Sequence, residues 1–271
     1  REFDEKRAEA RRAMIRTAEA TLSCKFDGEP LIVGTSGRYE FRNKGIDIFL
    51  DALKQLAETD ALDREVLVYI TVPSATTGPR KDLQAHLADE NSPIDPKQNR
   101  FCTHYLEHPE WDQILNSIAG SVLANPSSKV KVVFVPTYLN GRYGIFDKSY
   151  YELLVGMDMT LFPSYYEPWG YTPLESTAFS VPTLTTTLAG FGLWAGSQGE
   201  HEGVTLVARN DDNYAEAARE IAKALLHFTK YTPQEVEIAR NAAAERSRTA
   251  LWSELYAAYE KAYSEAIERS V

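Results

Sequence analysis

Phe162-Pro-Ser-Tyr-Tyr-Glu-Pro-Trp-Gly-Tyr-Thr-Pro-Leu-Glu175 is the stretch from which the rest of the sequence is best read. The mostly apolar run 157–162 has the length and character of a buried strand, and Pro163 closes it. Turn-prone residues follow, and Thr172-Pro173 reads as an N-cap with proline at the first helical position. Glu167 then falls in the loop and Glu175 in the first turn of a helix. A helix start presents unpaired N–H groups and a positive partial charge, which suits a phosphate. Gly170 lets a ligand approach the backbone, and sugar hydroxyls are natural partners for the two carboxylates. Taken without context, the same spacing also describes an ordinary strand–loop–helix crossover with two solvated glutamates.

Pro168-Trp-Gly-Tyr-Thr-Pro173 lies between the two glutamates, and this Glu-x7-Glu arrangement resembles the nucleotide-sugar motif of retaining GT-B glycosyltransferases. The wording of 162–173 resembles, almost letter for letter, the glycogen synthases of the animal and fungal type. Gly37-Arg-Tyr-Glu-Phe-Arg-Asn-Lys-Gly45 is similar to the same family, in which the arginine and the lysine contact the donor's phosphates. That correspondence falls on Arg38 and Lys44. The residues alone place both cations after a strand, where open α/β sheets bind ligands, although solvated loop cations are the ordinary alternative. Tyr150 aligns with a tyrosine that stacks on uracil in the family. A face-stacked aromatic is a sound base platform, with Tyr151 as its competitor and core packing as the other reading. Leu188-Ala-Gly-Phe-Gly192 also resembles the family and reads as a glycine turn, either lining the donor pocket or purely structural.

A net charge of −10 over 271 residues argues against nucleic acid and anionic membrane surfaces as partners, and 44% hydrophobic residues allow a large core. No apolar run approaches the ~18–20 residues that span a bilayer. The opening run Arg1-Glu-Phe-Asp-Glu-Lys-Arg7 is not a signal peptide, and an abrupt start on a helix points to a fragment. The two cysteines, Cys24 and Cys102, lie in no CxxC pattern, as expected of a cytoplasmic protein without a structural disulfide. His104 and His108 have i, i+4 spacing, but no further ligands complete a metal set, and no metal is expected.

In chain order, 3–22 read as an amphipathic helix with Phe3, Ala10, Met14, Ala18 and Leu22 on one side. Strands are expected at 31–37, 66–72, 129–135, 157–162, 181–187 and 204–207, and helices at 45–56, 111–123 and 149–155. The segment 73–108 reads as a surface excursion with one short helix near 83–87. Its length is uncommon unless functional, and the eukaryotic glycogen synthases carry a longer helical insertion here. Their tetramer contacts and regulatory machinery use that insertion, so the shorter segment here puts the same assembly in doubt. From Asn213 the pattern is helical: 214–228, 233–246 and 251–268. Arg240, Arg246 and Arg248 fall where the family has an arginine-dense helix that binds glucose 6-phosphate. Here alanines intervene, so the three read as a solvated helix face and the allosteric site is not carried over.

These alternating elements predict one doubly wound, mostly parallel Rossmann-like α/β sheet with a helical C-terminal tail. The expected organisation is a connecting helix over 1–28, a nucleotide-sugar-binding domain over 29–210, and helices over 211–271 packing on that domain. The resemblance covers most of 30–195 and, more loosely, the final helices. It implies the C-terminal domain of a GT-B hexosyltransferase, lacking its N-terminal domain and inactive without it. The implied full reaction transfers glucose from UDP-glucose to the non-reducing end of an α-1,4-glucan with retention, without cofactor or metal. Glu167, Arg38 and Lys44 would carry the chemistry, and Tyr150, Trp169, Gly170, Tyr171, Thr172 and Glu175 would hold the donor. ADP-glucose or another acceptor, and a non-catalytic assembly domain, are the competing readings. A homo-oligomer is compatible with either.

Overall fold

The structure, a computed structural model, describes residues 2–199 and 201–269. Its strands are β1 Leu31–Ser36, β2 Val66–Thr71, β3 Thr76–Pro79, β4 His104–Leu106, β5 Val130–Phe134, β6 Met159–Phe162, β7 Thr183–Thr186 and β8 Val204–Val207. Six of them form one sheet in the order β5-β2-β1-β6-β7-β8, with every pairing parallel. β2 is buried along its whole length because helices cover both faces of the sheet, which is why its sequence is an unbroken apolar run rather than an alternating one.

The helices are α1 Glu2–Leu22, α2 Ile46–Glu58, α3 Lys81–Ala88, α4 Gln113–Ala119, α5 Tyr150–Leu154, α6 Tyr171–Ala178, α7 Gly190–Ser197, α8 Tyr214–Thr229, α9 Pro233–Arg248 and α10 Trp252–Arg269. From β1 the chain steps outward to β2 and β5, then returns to lay β6 on the other side of β1. The winding reverses at that point, and the carboxyl ends of β1 and β6 splay apart into a crevice.

α1 buries Ala10, Met14, Ala18 and Leu22 against α5, α3 and β5, while Phe3 stays exposed. It is anchored by a buried ionic knot. Asp158 Oδ2 accepts from Arg11 Nη1 at 2.7 Å and from the Ile32 amide at 2.8 Å, while Oδ1 accepts from Arg240 Nη2 at 3.0 Å. Arg240 also donates to the Met157 and Ser180 carbonyls. α1, β1, the entry to β6 and α9 thus meet on one carboxylate. Burial pulls the Arg240 guanidinium down to about 10, and Asp158 opposes that pull.

The structure corrects several expectations. α6 begins two residues early, at Tyr171 with Gly170 as its N-cap at φ +105°, so Thr172 is inside the helix and Pro173 is not its first residue. The 188–192 stretch is not only a turn: Gly190 opens α7, because Phe191 and Trp194 pack with Trp169 and that burial overrides three glycines. The 73–108 excursion contains α3 and also the antiparallel ribbon of β3 and β4. His104 lies on β4, with its ring bonded to Thr103 at 2.8 Å, and burial lowers its imidazole to about 4. Arg240 and Arg246 are buried, so only Arg248 matches a solvated face. α8 packs on α2 and α9 on α6, whereas α10 buries none of its side chains.

Candidate functional site

Three loops meet at the carboxyl ends of β1, β6 and β7, and their backbones are joined directly. Gly45, the N-cap of α2, has φ +69°, and a Cβ there would lie 1.9 Å from the Pro163 carbonyl oxygen. Only glycine permits that approach. Beside it the Tyr165 amide donates to the Asn43 carbonyl at 2.8 Å. On the other flank the Glu167 amide donates to Leu188 at 3.3 Å, Gly190 to Glu167 at 3.0 Å, and Phe191 to Trp169 at 2.6 Å. The loop carrying Glu167 is therefore held on both sides.

This arrangement brings Lys44 onto Glu167 as an ion pair, with both side chains largely shielded. Arg38 instead extends into solvent, its side chain 76% exposed, and pairs with Glu40 at 3.0 Å. Beside the pair opens a cleft of ≈ 760 Å³ with Ser36, Arg38, Tyr138, Tyr150, Thr172 and Glu175 on its walls. Lys44 and Glu167 are not on its lining but adjoin it: a Cβ at Gly37, which lines the cleft, would lie 4.0 Å from Lys44 Cδ, and Glu167 is paired with Lys44. Two cations and two carboxylates thus share one rim, with the first-turn amides of α6 between Glu167 and Glu175. Those amides have no acceptor within their own helix, so the rim can receive an anion and present acceptors to hydroxyls on either side of it.

Ser149 caps α5 through a capping box with Glu152, which fixes how Tyr150 and Tyr151 project. Tyr150 is half-buried at the cleft, its hydroxyl accepts from Ser36 Oγ at 2.8 Å, and burial pushes its phenol well above the ordinary range. Tyr151 lies flat on Phe179, with centroids 5.1 Å apart and planes at 9°, and donates to Glu175 Oε1 at 2.9 Å. That hydrogen bond, with burial and the same negative charge behind it, raises the Tyr151 phenol, which stays a donor.

The remaining expected residues divide. Gly170 provides the left-handed turn that starts α6, and Thr172 reaches the cleft. Tyr171 stands 71% exposed at the helix start. Trp169 is turned into the cluster with Phe191 and Trp194, away from the cleft, so its side chain supports the loop rather than lining the pocket. Sequence reading missed Arg209. It is buried, donates to the Pro163 carbonyl, and lies over Tyr165 at 5.1 Å and Tyr214 at 6.0 Å. Its one signal in the sequence is its position just beyond a strand's carboxyl end. The Tyr151–Glu175 bond was also missed, because it joins residues 24 apart that only the fold brings together.

The Lys44–Glu167 pair has a testable consequence. An anion arriving at Lys44 must compete with Glu167, so Glu167→Gln is expected to tighten binding of a nucleoside diphosphate that lacks a sugar. Partly shielded pairs contribute about 0.5–1 kcal/mol, hence a gain of about two- to fivefold by titration calorimetry. Weaker binding in this variant would show that Glu167 does not restrain Lys44.

Residues 84–271 match a family model described as Glycogen synthase. A glycogen [starch] synthase of Neurospora crassa is 28% identical over 305 residues, covering 90% of this chain and 43% of the relative. The human liver glycogen [starch] synthase is 28% identical over 288 residues, covering 86% of this chain and 40% of the relative. The chain therefore spans less than half the length of the curated relatives it matches. Among solved structures, a glycosyltransferase from Rickettsia africae superposes with a TM-score of 0.49 at 15% identity, covering 82% of this chain and 44% of that one.

Proposed function

The chain belongs to the glycogen synthase family, and on that premise we propose that it is the donor-binding half of a GT-B glycogen synthase. The single observation behind this reading is that Arg38 and Glu175 line one cleft at the start of α6 while the Lys44–Glu167 pair adjoins it through Gly37 and Gly170. In the reading, the diphosphate of UDP-glucose lies along that helix start. Glu175 takes the ribose hydroxyls, and Tyr150 and Tyr138 flank the uracil. Glu167 holds glucose hydroxyls on the opposite side.

The barrier to glycosyl transfer is cleavage of the anomeric C–O bond, which places negative charge on the departing diphosphate and positive charge on the sugar. Lys44 leaves Glu167 to meet the diphosphate, and Arg38 leaves Glu40 to do the same. Both cations then act on charge that develops as the bond breaks. Released from Lys44, the Glu167 carboxylate faces the sugar and favours positive charge at its anomeric carbon. The acceptor, a glucan 4-OH, would approach from a second domain, and this chain by itself is expected to bind donor without turnover.

Titration of the chain with UDP and UDP-glucose tests the reading. Saturable binding supports it, and no binding at millimolar UDP overturns it. ADP-glucose in the same titration separates the nearest alternative, since tighter binding of the adenine nucleotide would assign a different donor to the same fold.

A further inference from the structure

Building on the donor-site reading, we propose that Tyr151 is a positioning residue for the ribose: its hydroxyl holds one oxygen of Glu175 so that the other accepts from the ribose diol. An ionised carboxylate is an acceptor with two oxygens. Tyr151 occupies Oε1 at 2.9 Å, and among the described residues no other side-chain hydrogen bond reaches this carboxylate. Oε2 is therefore free on the wall of a cleft that Glu175, Tyr150 and Tyr151 line together.

The tyrosine is itself fixed. Its ring is stacked on Phe179 at 5.1 Å and meets the edge of Tyr150 at 5.4 Å, and the capping box on Ser149 sets the orientation of α5 beneath it. Glu175 has rotamer freedom of its own on α6, and without the phenol its carboxylate would sample other positions on the rim. A donor aimed at one oxygen removes that freedom before the nucleotide arrives, which is preorganisation in its ordinary sense. The arrangement also ties two neighbouring tyrosines to two different jobs: Tyr150 carries its hydroxyl to Ser36 beside the cleft, while Tyr151 carries its own to the carboxylate.

Tyr151→Phe retains the ring and its stack on Phe179 but deletes the donor. Titration of wild type and variant with UDP, 2′-deoxy-UDP, 3′-deoxy-UDP and inorganic pyrophosphate separates positioning from a general structural role. Loss of one charge-assisted hydrogen bond is expected to weaken UDP about fivefold and to leave pyrophosphate within about twofold of wild type. Wild type is expected to bind at least one deoxy nucleotide about tenfold more weakly than UDP, and this penalty shrinks in the variant. Equal UDP affinity in wild type and variant overturns the proposal. So does an equal loss of UDP and pyrophosphate, or a wild type indifferent to both ribose hydroxyls. A wild type that ignores UDP altogether overturns the donor-site reading first, and this proposal with it.

Discussion

The double substitution Arg38→Ala with Lys44→Ala is expected to weaken UDP binding by about a hundredfold or more. Hydrogen bonds from a charged donor to a phosphate contribute about 1.5–3 kcal/mol each, and every 1.4 kcal/mol is a factor of ten. The two cations should not contribute equally. Arg38 has 76% of its side chain in solvent and must give up conformational freedom as well as its bond to Glu40 before it can engage the diphosphate. Lys44 must likewise leave Glu167, but with 17% of its side chain exposed it is already confined to the rim and gives up less conformational freedom. Lys44→Ala alone should therefore account for the larger share. Calorimetric titration of both single variants and the double variant reads this directly. UDP affinity unchanged in the double variant would mean that the rim is not a phosphate site.

The second large effect concerns folding rather than binding. Asp158→Ala removes the one carboxylate shared by Arg11 and Arg240, leaving the buried Arg240 guanidinium without a counter-charge and Arg11 with only the exposed Glu29. Breaking a buried pair from one side typically costs 3–5 kcal/mol, so the midpoint of thermal unfolding should fall by about 10 °C. Glu29→Ala, which removes Arg11's exposed partner at 2.7 Å, is the internal comparison and should cost less than about 1 kcal/mol. Equal shifts in the two variants would show that the knot contributes no more than a surface pair. Because α1, β1, β6 and α9 meet at Asp158, the loss should be global and cooperative rather than confined to α1.

Much of the fold was legible because its strands carry their own signal. Leu31–Ser36, Val66–Thr71 and Val130–Phe134 are apolar runs bounded by polar turns, and a covered parallel sheet requires such runs. The motif residues were legible because resemblance supplied them, and the structure places Lys44 on Glu167 and Glu175 on the neighbouring cleft wall. What escaped has a common physical cause. α7 is helical despite Gly190, Gly192 and Gly196, since burial of Phe191 outweighs a local preference for turns. Trp169 looked like a pocket residue by its position between two functional glutamates, yet its direction is set by Phe191 and Trp194, which follow more than twenty residues later. Arg240 and Arg246 looked solvated because alanines surround them, but small neighbours also let a long arginine lie flat against the core and reach carbonyls there. Each of these outcomes depends on contacts between distant segments, which local pattern does not encode.

Gly45 resting on Pro163, and Gly190 on Pro168, have an implication for how this site can diversify. With main chain pressed against main chain, the loops bearing Lys44 and Glu167 have no room to lengthen, shorten or swing separately, so they behave as a single casting. On the donor-site reading, a lineage altering its choice of nucleobase would have to leave that casting untouched and vary residues such as Tyr138 and Asn140, which border the cleft from outside it.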